Sequence, residues 1–157
     1  MSNSAIMLGG NLPGSENAMA AAITELEKNG FSVGKISSIF HSAAVDCVPG
    51  TPDFIDQAVI GCWNGTPEEL LSLCQKIEIS SGRPAIHSSR ESRILDLDII
   101  LFDQMEINTP RLTIPHPRAR IREFVLAPLA EIAPEWTFPD GSTISSALAA
   151  LQGTQLP

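Results

Sequence analysis

The feature that most constrains the fold is an apolar run from Arg93 to Phe102 that carries two carboxylates two residues apart, Asp96 and Asp98. An alternation of this kind is typical of a strand with one buried face. Side chains at i and i+2 of a strand point to the same side of a sheet, so the two carboxylates share one face and the alternating aliphatic side chains occupy the other. The sequence therefore predicts a strand whose polar face concentrates negative charge.

Two neighbouring carboxylates need a counter-charge, and three remedies are open: a divalent metal ion, an arginine or a shared proton. A salt bridge to Arg93 is the purely structural alternative. The arginines all fall in one window of the chain, which could also be a solvated face: Arg83, Arg90, Arg93, Arg111, Arg118, Arg120 and Arg122. Arginine suits forked contact with phosphate oxygens, so the carboxylate pair and the arginine cluster together indicate metal-bound polyphosphate.

The composition predicts one globular domain over residues 1–157. Of the 157 residues, 43% are hydrophobic, and the net charge of −8 argues against nucleic-acid binding. No apolar run is long enough to cross a membrane, and the first residues lack the features of a secretory signal. Cys47, Cys62 and Cys74 are odd in number and too widely spaced for a disulfide framework or a thiolate metal site. We expect a cytoplasmic protein with reduced thiols and no nucleic-acid or membrane partner.

Hydrophobic periodicity and turn signals predict the order βαββαβ followed by helices. The expected strands are Ala5 to Gly9, Phe31 to Phe40, Phe54 to Trp63, the aspartate run and Met105 to Ile107. The expected helices run from an N-cap at Ser15 to Asn29, from Thr66 to Ser80 or Ser81, from Phe124 to Leu129 and from Ser142 to Leu151. Residues 41–53 and 83–92 are predicted as loops, and the proline-rich segment 110–118 as irregular. This order indicates an α+β fold, with a ferredoxin-like antiparallel sheet and helices on both faces in three layers.

Six segments spread along the chain combine into a specific pattern. They are Leu8 to Leu12, Pro52 to Ile55, Ile77-Glu78 with Gly82-Arg83, Arg93 to Phe102, Leu112 to Arg118, and Arg122 to Leu129. The motif Arg-x-Leu-Asp-Leu-Asp-Ile followed by Leu-x-Ile-Pro-His-Pro-Arg is far more specific than one short motif alone. On these segments the chain resembles, over nearly its whole length, the 6-hydroxymethyl-7,8-dihydropterin pyrophosphokinase family of folate biosynthesis.

The resemblance implies transfer of the β,γ-pyrophosphoryl unit of ATP to the hydroxymethyl group of a reduced pterin, with release of AMP. It implies small-molecule substrates, a monomer, ATP as co-substrate and two Mg²⁺ ions held by Asp96 and Asp98. Contacts to the phosphates are implied for Arg93, His116 and Arg122. Contacts around the nucleotide are implied for Gln75, Glu78, Arg83, Ile99, Arg111 and Thr113. Contacts to the pterin are implied for Ser42, Val45, Phe54, Asp56 and Phe124, with the two phenylalanines on either side of the ring.

Most departures from the family pattern lie in or near the two predicted loops, residues 41–53 and 83–92. Asp56 stands where family members usually have asparagine, and a carboxylate cannot donate a hydrogen bond unless it is protonated. The other departures are Gly10, Ala43, Ala44, Asp46, Ala85, Arg90 and Ser92. Three hypotheses stay open: an enzyme acting on the ordinary pterin, a paralogous enzyme acting on another pterin-like alcohol, and a non-catalytic pterin or nucleotide sensor.

Overall fold

The main strands and the helices follow one another along the chain in the predicted order, with two additional short strands. The computed structural model describes residues 1–43, 49–50, 52–82 and 93–154. The strands are β1 (Ser2–Gly10), β2 (Ser32–Ile36), β3 (Phe40–Ser42), β4 (Phe54–Trp63), β5 (Asp96–Phe102), β6 (Ile107–Asn108) and β7 (Thr113–Ile114). The helices are α1 (Ser15–Lys28), α2 (Pro67–Ser80), α3 (Glu123–Ile132) and α4 (Ile144–Thr154), with a 3-10 turn at Ala119–Ile121. In the described residues, no helix combines the length and the apolar character needed to span a membrane.

The main sheet has the strand order β2-β4-β1-β5, and β3 pairs with β4 as well. Every pairing is antiparallel. The connections β1-α1-β2 and β4-α2-β5 interlock so that β1 lies between β4 and β5, which is the arrangement of the predicted ferredoxin-like α+β fold. A second, two-stranded sheet joins β6 to β7.

The sheet buries both of its faces, so the core has two parts. On one face, α1 and α2 pack over alternate residues of the strands, including Ile6, Leu8 and Val59. On the other face, α3 and α4 pack over the intervening residues, including Met7 and Ala58. This division gives the predicted three layers, and it follows from the period-2 alternation of side chains along each strand.

Helix α2 starts where the sequence predicts it, directly after Thr66. Thr66 and Glu69 form a capping box, in which each side chain accepts a hydrogen bond from the other residue's backbone N–H, and Pro67 occupies the first helical position. The predicted N-cap of α1 at Ser15 is wrong. Gly14 holds that position in a left-handed conformation with φ of 91°, and the Ser15 hydroxyl accepts a hydrogen bond from the Leu12 N–H at 3.1 Å.

The predicted strand from Phe31 to Phe40 is wrong in its continuity, because the chain forms β2 and β3 instead. Ser37 interrupts the ladder between them. Its hydroxyl accepts a hydrogen bond from the Ala58 N–H at 2.8 Å, while its own N–H donates to the Ala58 carbonyl at 2.9 Å. A serine side chain has thus replaced a main-chain partner, which a pattern of apolar residues does not reveal.

The proline-rich segment contains strand β7, contrary to the prediction of an irregular segment. Thr109 closes a turn, since its N–H donates to the Leu112 carbonyl at 2.9 Å and its hydroxyl accepts from the Leu112 N–H at 3.0 Å. Pro110 sits inside this turn, where a missing N–H does not disturb a ladder. The residues that follow are then free to pair with β6, which lies at Ile107–Asn108 rather than at the predicted Met105 to Ile107.

The remaining differences concern the ends of elements. Strand β5 begins at Asp96 rather than Arg93, because the backbone of Arg93 bonds to Asn11 instead of extending the ladder. Helix α3 continues past Leu129, and helix α4 begins after Thr143 and not at Ser142. The Thr143 hydroxyl accepts a hydrogen bond from the Ser146 N–H at 3.0 Å, which caps the start of α4.

Candidate active site

Three strand ends meet at one end of the main sheet and carry its carboxylates. Gly9 on the central strand β1 lies opposite Asp56 on β4 and opposite Asp96 on β5, and Met7 lies opposite Asp98. The aliphatic residues between the aspartates of β5 are buried under α1 and α2, so the carboxylates project to the side of α3, as the alternation predicts. A Cβ atom at Gly9 would lie 2.9 Å from Asp56 Oδ1. The missing side chain therefore leaves room for the Asp56 carboxyl group above the sheet.

Arg93 supplies positive charge to the β5 carboxylates. Its guanidinium group lies 3.0 Å from Asp96 Oδ2, and the two side chains are 12% and 27% exposed. The arginine counter-charge considered from the sequence is therefore present in the structure. The pair is partly buried, and Asp96 is the more exposed of the two side chains.

Arg122 and His116 approach the carboxylates from the segment that precedes α3. Burial, followed by the charge of Arg118, lowers the pKa of Arg122, while the nearby Asp98, Asp96 and Asp56 carboxylates act to raise it. Arg122 thus lies near enough to the three aspartates to interact with their charges, and its guanidinium carbon lies 5.4 Å from the centre of the Phe124 ring.

His116 is held by hydrogen bonds on both its backbone and its ring. Its N–H donates to the Ile100 carbonyl of β5 at 3.1 Å, and its Nδ1 accepts from the Arg118 N–H at 3.3 Å. Burial, then the charges of Arg122 and Arg118, lowers the pKa of His116. A neutral imidazole that accepts at Nδ1 carries its proton on Nε2, which makes Nε2 a hydrogen-bond donor.

The residues assigned to the pterin lie at the ends of β3, β4 and α3. Phe54 is half-buried and Phe124 is 37% exposed. Asp56 is 8% exposed, and its Oδ2 accepts a hydrogen bond from the Ser42 hydroxyl at 3.2 Å. Burial raises the pKa of Asp56 from 3.8 to about 7, with a smaller upward contribution from Asp96 and downward contributions from Ser42 and Arg122. Val45 lies outside the described residues.

The residues assigned to the nucleotide line the outer edge of β5, between α2 and β7. Glu78 on α2 is buried, and its Oε2 accepts a hydrogen bond from the Leu97 N–H at 2.7 Å. Alternate N–H groups of a strand point to the same side, so the Ile99 N–H faces this edge too. Arg111 donates to the Ser72 hydroxyl of α2 at 2.6 Å.

Two further members of this group belong to α2 and β7. Gln75 is exposed on α2, one turn after Ser72, and Thr113 is half-buried in β7. Arg83 lies outside the described residues. The described members therefore come from β5, from α2 and from the segment that leads into β7, and both α2 and β7 contact β5.

The site fits a magnesium ion that is completed by ligands from a substrate. Asp96 and Asp98 offer hard carboxylate oxygens on one face of β5. Within residues 1–43, 49–50, 52–82 and 93–154, no group of three metal-ligating side chains occurs. Mg²⁺ commonly binds through one or two carboxylates and takes its other ligands from phosphates and water. The donor set thus suits magnesium bound together with a polyphosphate.

Asn11 also lies in this region, and the sequence alone indicates no role for its side chain. It is 5% exposed, its Oδ1 accepts from the Arg93 N–H at 2.8 Å, and its Nδ2 donates to the Pro52 carbonyl at 3.2 Å. The available signal was an asparagine directly after a buried strand, inside a segment shared with the family. That signal does not reveal which distant backbone groups the amide meets.

Taken with the fold, the comparisons with known proteins define the class of this chain as the pyrophosphokinases, which are diphosphotransferases. The profile of the family described as 7,8-dihydro-6-hydroxymethylpterin-pyrophosphokinase matches residues 5–134. A 2-amino-4-hydroxy-6-hydroxymethyldihydropteridine pyrophosphokinase of Synechocystis is 40% identical over 139 residues, which are 87% of this chain and 70% of that protein. The protein of the same name in Bacillus subtilis is 39% identical, over 81% of this chain and 75% of its own length. The chain belongs to this pyrophosphokinase family.

Other relatives are longer than the matching region. The chain matches only 23% of a mitochondrial folate synthesis bifunctional protein of Arabidopsis thaliana, at 37% identity over 128 residues. Among solved structures, the HPPK-DHPS of Plasmodium falciparum with pteroate superimposes with a TM-score of 0.75, over 95% of this chain and 44% of that one. The two sequences are 13% identical there, so this match supports the fold alone.

Proposed function

We propose that this protein transfers pyrophosphate from ATP to the hydroxymethyl group of 6-hydroxymethyl-7,8-dihydropterin in folate biosynthesis. The observation that carries the proposal is the gathering of Asp96 and Asp98 with two arginines and His116 at one end of a sheet in a chain of the pyrophosphokinase family. The relatives at 39 to 40% identity named above carry one pyrophosphokinase name, and this favours the ordinary acceptor over the two other hypotheses.

In the reaction, the acceptor hydroxyl oxygen attacks the β-phosphorus of ATP. The bond from the β-phosphorus to the oxygen shared with the α-phosphorus breaks, AMP leaves, and the hydroxyl proton passes to solvent. A transfer of this kind depends on positioning and on neutralising charge more than on covalent chemistry by the protein. The acceptor side and the phosphate side must therefore be held in line.

The charged residues divide between holding the metal and binding phosphate. We assign Asp96 and Asp98 to two Mg²⁺ ions, which neutralise charge on the triphosphate when bound. Arg93 and Arg122 flank these carboxylates and neutralise phosphate oxygens, and Arg93 exchanges its bond to Asp96 for one to phosphate. His116 donates from Nε2 to a phosphate oxygen, since its Nδ1 already accepts a hydrogen bond.

The two substrates are assigned to different sides of the carboxylates. On the β4 side, Phe54 and Phe124 stack on the pterin, Asp56 accepts hydrogen bonds from its amino-pyrimidine edge, and Ser42 and Val45 border the ring. On the outer edge of β5, the nucleotide is assigned to Gln75, Glu78, Arg83, Ile99, Arg111 and Thr113. We further propose that residues 1–157 act as one domain, as a cytoplasmic monomer with small molecules as its partners and no nucleic-acid or membrane partner.

The test is to incubate the protein with Mg²⁺, ATP and the pterin alcohol, and to separate AMP and the pterin diphosphate by chromatography. The two products should form in equal amounts. Asp96→Asn and Asp98→Asn should each lower kcat by about 10²- to 10³-fold, because a metal ligand contributes several kcal/mol to the transition state. Glu27→Gln removes the same charge on the exposed side of α1 and should keep wild-type activity. Full activity in either aspartate variant would contradict the metal assignment.

A further inference from the structure

One buried amide group joins the two substrate sides of the site. Asn11 follows β1 directly, and its side chain is 5% exposed. Its Nδ2 donates to the Pro52 carbonyl at 3.2 Å, and its Oδ1 accepts from the Arg93 N–H at 2.8 Å. The Asn11 backbone N–H also donates to the Arg93 carbonyl at 2.9 Å, so Arg93 is held at both of its main-chain groups.

The two segments that Asn11 holds lead into the two halves of the site. Pro52 precedes β4, whose first residues include Phe54 and Asp56. Arg93 precedes β5 and pairs with Asp96 through its guanidinium group. Both contacts cross large gaps in the sequence, and the central strand β1 is the element that lies between β4 and β5. A shift of either segment would change the distance between the acceptor and the phosphates.

The chemistry of the side chain is specific for this task. An amide both donates and accepts, whereas a carboxylate only accepts and an aliphatic group does neither. Because the Asn11 side chain is buried, an amide atom that lost its partner would have no compensation from water. Asparagine is therefore the residue of this size that can hold the Pro52 carbonyl and the Arg93 N–H together.

We propose that Asn11 is a positioning residue, which sets the acceptor side at Pro52 against the phosphate side at Arg93 by bonding to both. The role rests on the proposed function, since it concerns the alignment of the two substrates. Asn11 acts through its neighbours and touches neither substrate in this assignment. Displacements of about 1 Å can cost a reaction of this kind about a hundredfold in rate.

Two variants separate the two contacts. Asn11→Asp keeps an oxygen acceptor for the Arg93 N–H but replaces the donor to the Pro52 carbonyl with a repulsive oxygen. Asn11→Leu has a similar size and removes both side-chain contacts. Asn29→Asp is the matched control, because the Asn29 amide donates to the Glu25 carbonyl at 2.8 Å on the exposed end of α1. Each variant is compared with wild type in kcat, in KM for both substrates, in thermal midpoint and in amide hydrogen exchange at Arg93.

For Asn11→Asp we expect about a tenfold rise in the KM of the pterin alcohol and about a tenfold fall in kcat, with the KM of ATP and the exchange at Arg93 near wild type. For Asn11→Leu we expect faster exchange at Arg93 and a fall in kcat of about a hundredfold. Asn29→Asp should keep both kinetic constants.

Two outcomes would overturn the proposal. One is wild-type kcat and KM in both Asn11 variants at a temperature where they remain folded, even with lowered thermal midpoints, because Asn11 would then be structural only. The other is unchanged exchange at Arg93 in Asn11→Leu. A wild-type protein without turnover would count against the proposed function instead, and the exchange measurement would still decide whether Asn11 holds Arg93.

Discussion

At the scale of single residues, Asp56 is a carboxyl group placed where ionisation is unfavourable. Burial raises its pKa to about 7, from 3.8 for the exposed group, while the Ser42 hydroxyl partly offsets this effect. Since the folded pKa lies above the unfolded one, the contribution of Asp56 to stability is complete below about pH 4 and is lost as the pH rises through 7. The ionised form therefore costs the fold stability in neutral solution.

Asp56→Asn should remove this cost. The amide keeps the size of the side chain and an oxygen that accepts from Ser42, but it does not ionise. We expect the variant to be more stable than wild type by up to about 4 kcal/mol at pH 8, and the difference to approach zero near pH 4. Urea unfolding across this pH range measures it. A difference that does not vary with pH would show that Asp56 is not the buried titrating group described here.

The same group predicts how acceptor binding depends on pH. The amino-pyrimidine edge of a pterin presents N–H donors, which a carboxylate accepts and a protonated carboxyl accepts less well. Affinity of the wild type for the pterin alcohol should therefore fall below pH 7, by at most tenfold per pH unit, and level off at the affinity of the protonated form, while Asp56→Asn should show a flat profile. Calorimetric titration between pH 5.5 and 8 checks this, and a parallel decline in both proteins would assign the effect to another group.

At position 10 the surrounding atoms leave no space for a side chain, so glycine is the residue that fits. A Cβ atom there would lie 2.4 Å from the Ile94 carbonyl oxygen and 2.5 Å from the Ser15 hydroxyl. Gly10→Ala should therefore destabilise the fold by about 1 to 3 kcal/mol. Gly153→Ala is the control, because among the described residues no atom outside its chain neighbours and its own helix backbone lies within 4 Å of a Cβ there, and alanine should be neutral or stabilising. Denaturant unfolding of both variants makes the comparison, and an unchanged Gly10→Ala would mean that the junction can move aside.

At the scale of elements, β5 carries the two aspartates on one face and also exposes backbone N–H groups at an edge of the sheet, which need hydrogen-bond acceptors. Within the described part of the chain it is an end strand of the main sheet, so its outward N–H groups have no strand partner there. Glu78 on α2 meets this need at Leu97, with a hydrogen bond of 2.7 Å. The helix that packs on one face of β5 thus also fixes the edge beside the two aspartates.

Two substitutions of Glu78 test this anchoring. Glu78→Ala removes the acceptor of the buried Leu97 N–H and should cost about 1 to 3 kcal/mol of stability, with faster amide exchange at Leu97. Glu78→Gln keeps an oxygen acceptor and should retain most of the protection. Hydrogen exchange and denaturant unfolding provide the two readouts. Equal exchange at Leu97 in both variants would show that the carboxylate does not hold the strand.

Some elements were predictable from the sequence, whereas the break between β2 and β3 and the strand β7 were not. Strand β5 and helix α2 were predictable because each has a strong local signal, an alternation in one case and a proline followed by acidic residues at the helix start in the other. The break between β2 and β3 depends on the Ser37 hydroxyl meeting Ala58, and β7 depends on a turn closed by Thr109. Both rest on contacts between particular polar groups, which no hydrophobic period encodes.

At the scale of the whole molecule, the site is a product of strand order. Asp56 and Asp96 come from different halves of the chain, and they flank Gly9 only because β1 separates β4 from β5. The predicted βαββαβ order indicated the ferredoxin-like sheet, the resemblance supplied the site residues, and the structure shows the strand pairing that brings Asp56 and Asp96 to Gly9. The hydrogen bonds of Asn11 depend on the register of the strands, and the raised pKa of Asp56 depends on its burial. Both are properties of the folded chain.

The small number of metal-ligating side chains in the described residues predicts how strongly Mg²⁺ binds with and without a nucleotide. The site offers two carboxylates on β5, one of them paired with Arg93, and the described part of the chain contains no cluster of three metal-ligating side chains. Mg²⁺ alone should therefore bind weakly and change the thermal midpoint little, whereas Mg²⁺ with the α,β-methylene analogue of ATP brings its own phosphate ligands.

At about a hundred times the dissociation constant, that complex should raise the midpoint by about 5 to 10 °C. In a protein with both Asp96→Asn and Asp98→Asn, the shift should fall to the value that the analogue gives without Mg²⁺, while Glu27→Gln should behave as wild type. Differential scanning fluorimetry measures all these cases. A large shift with Mg²⁺ alone would instead require a preformed metal site, which two carboxylates with an arginine beside them do not provide.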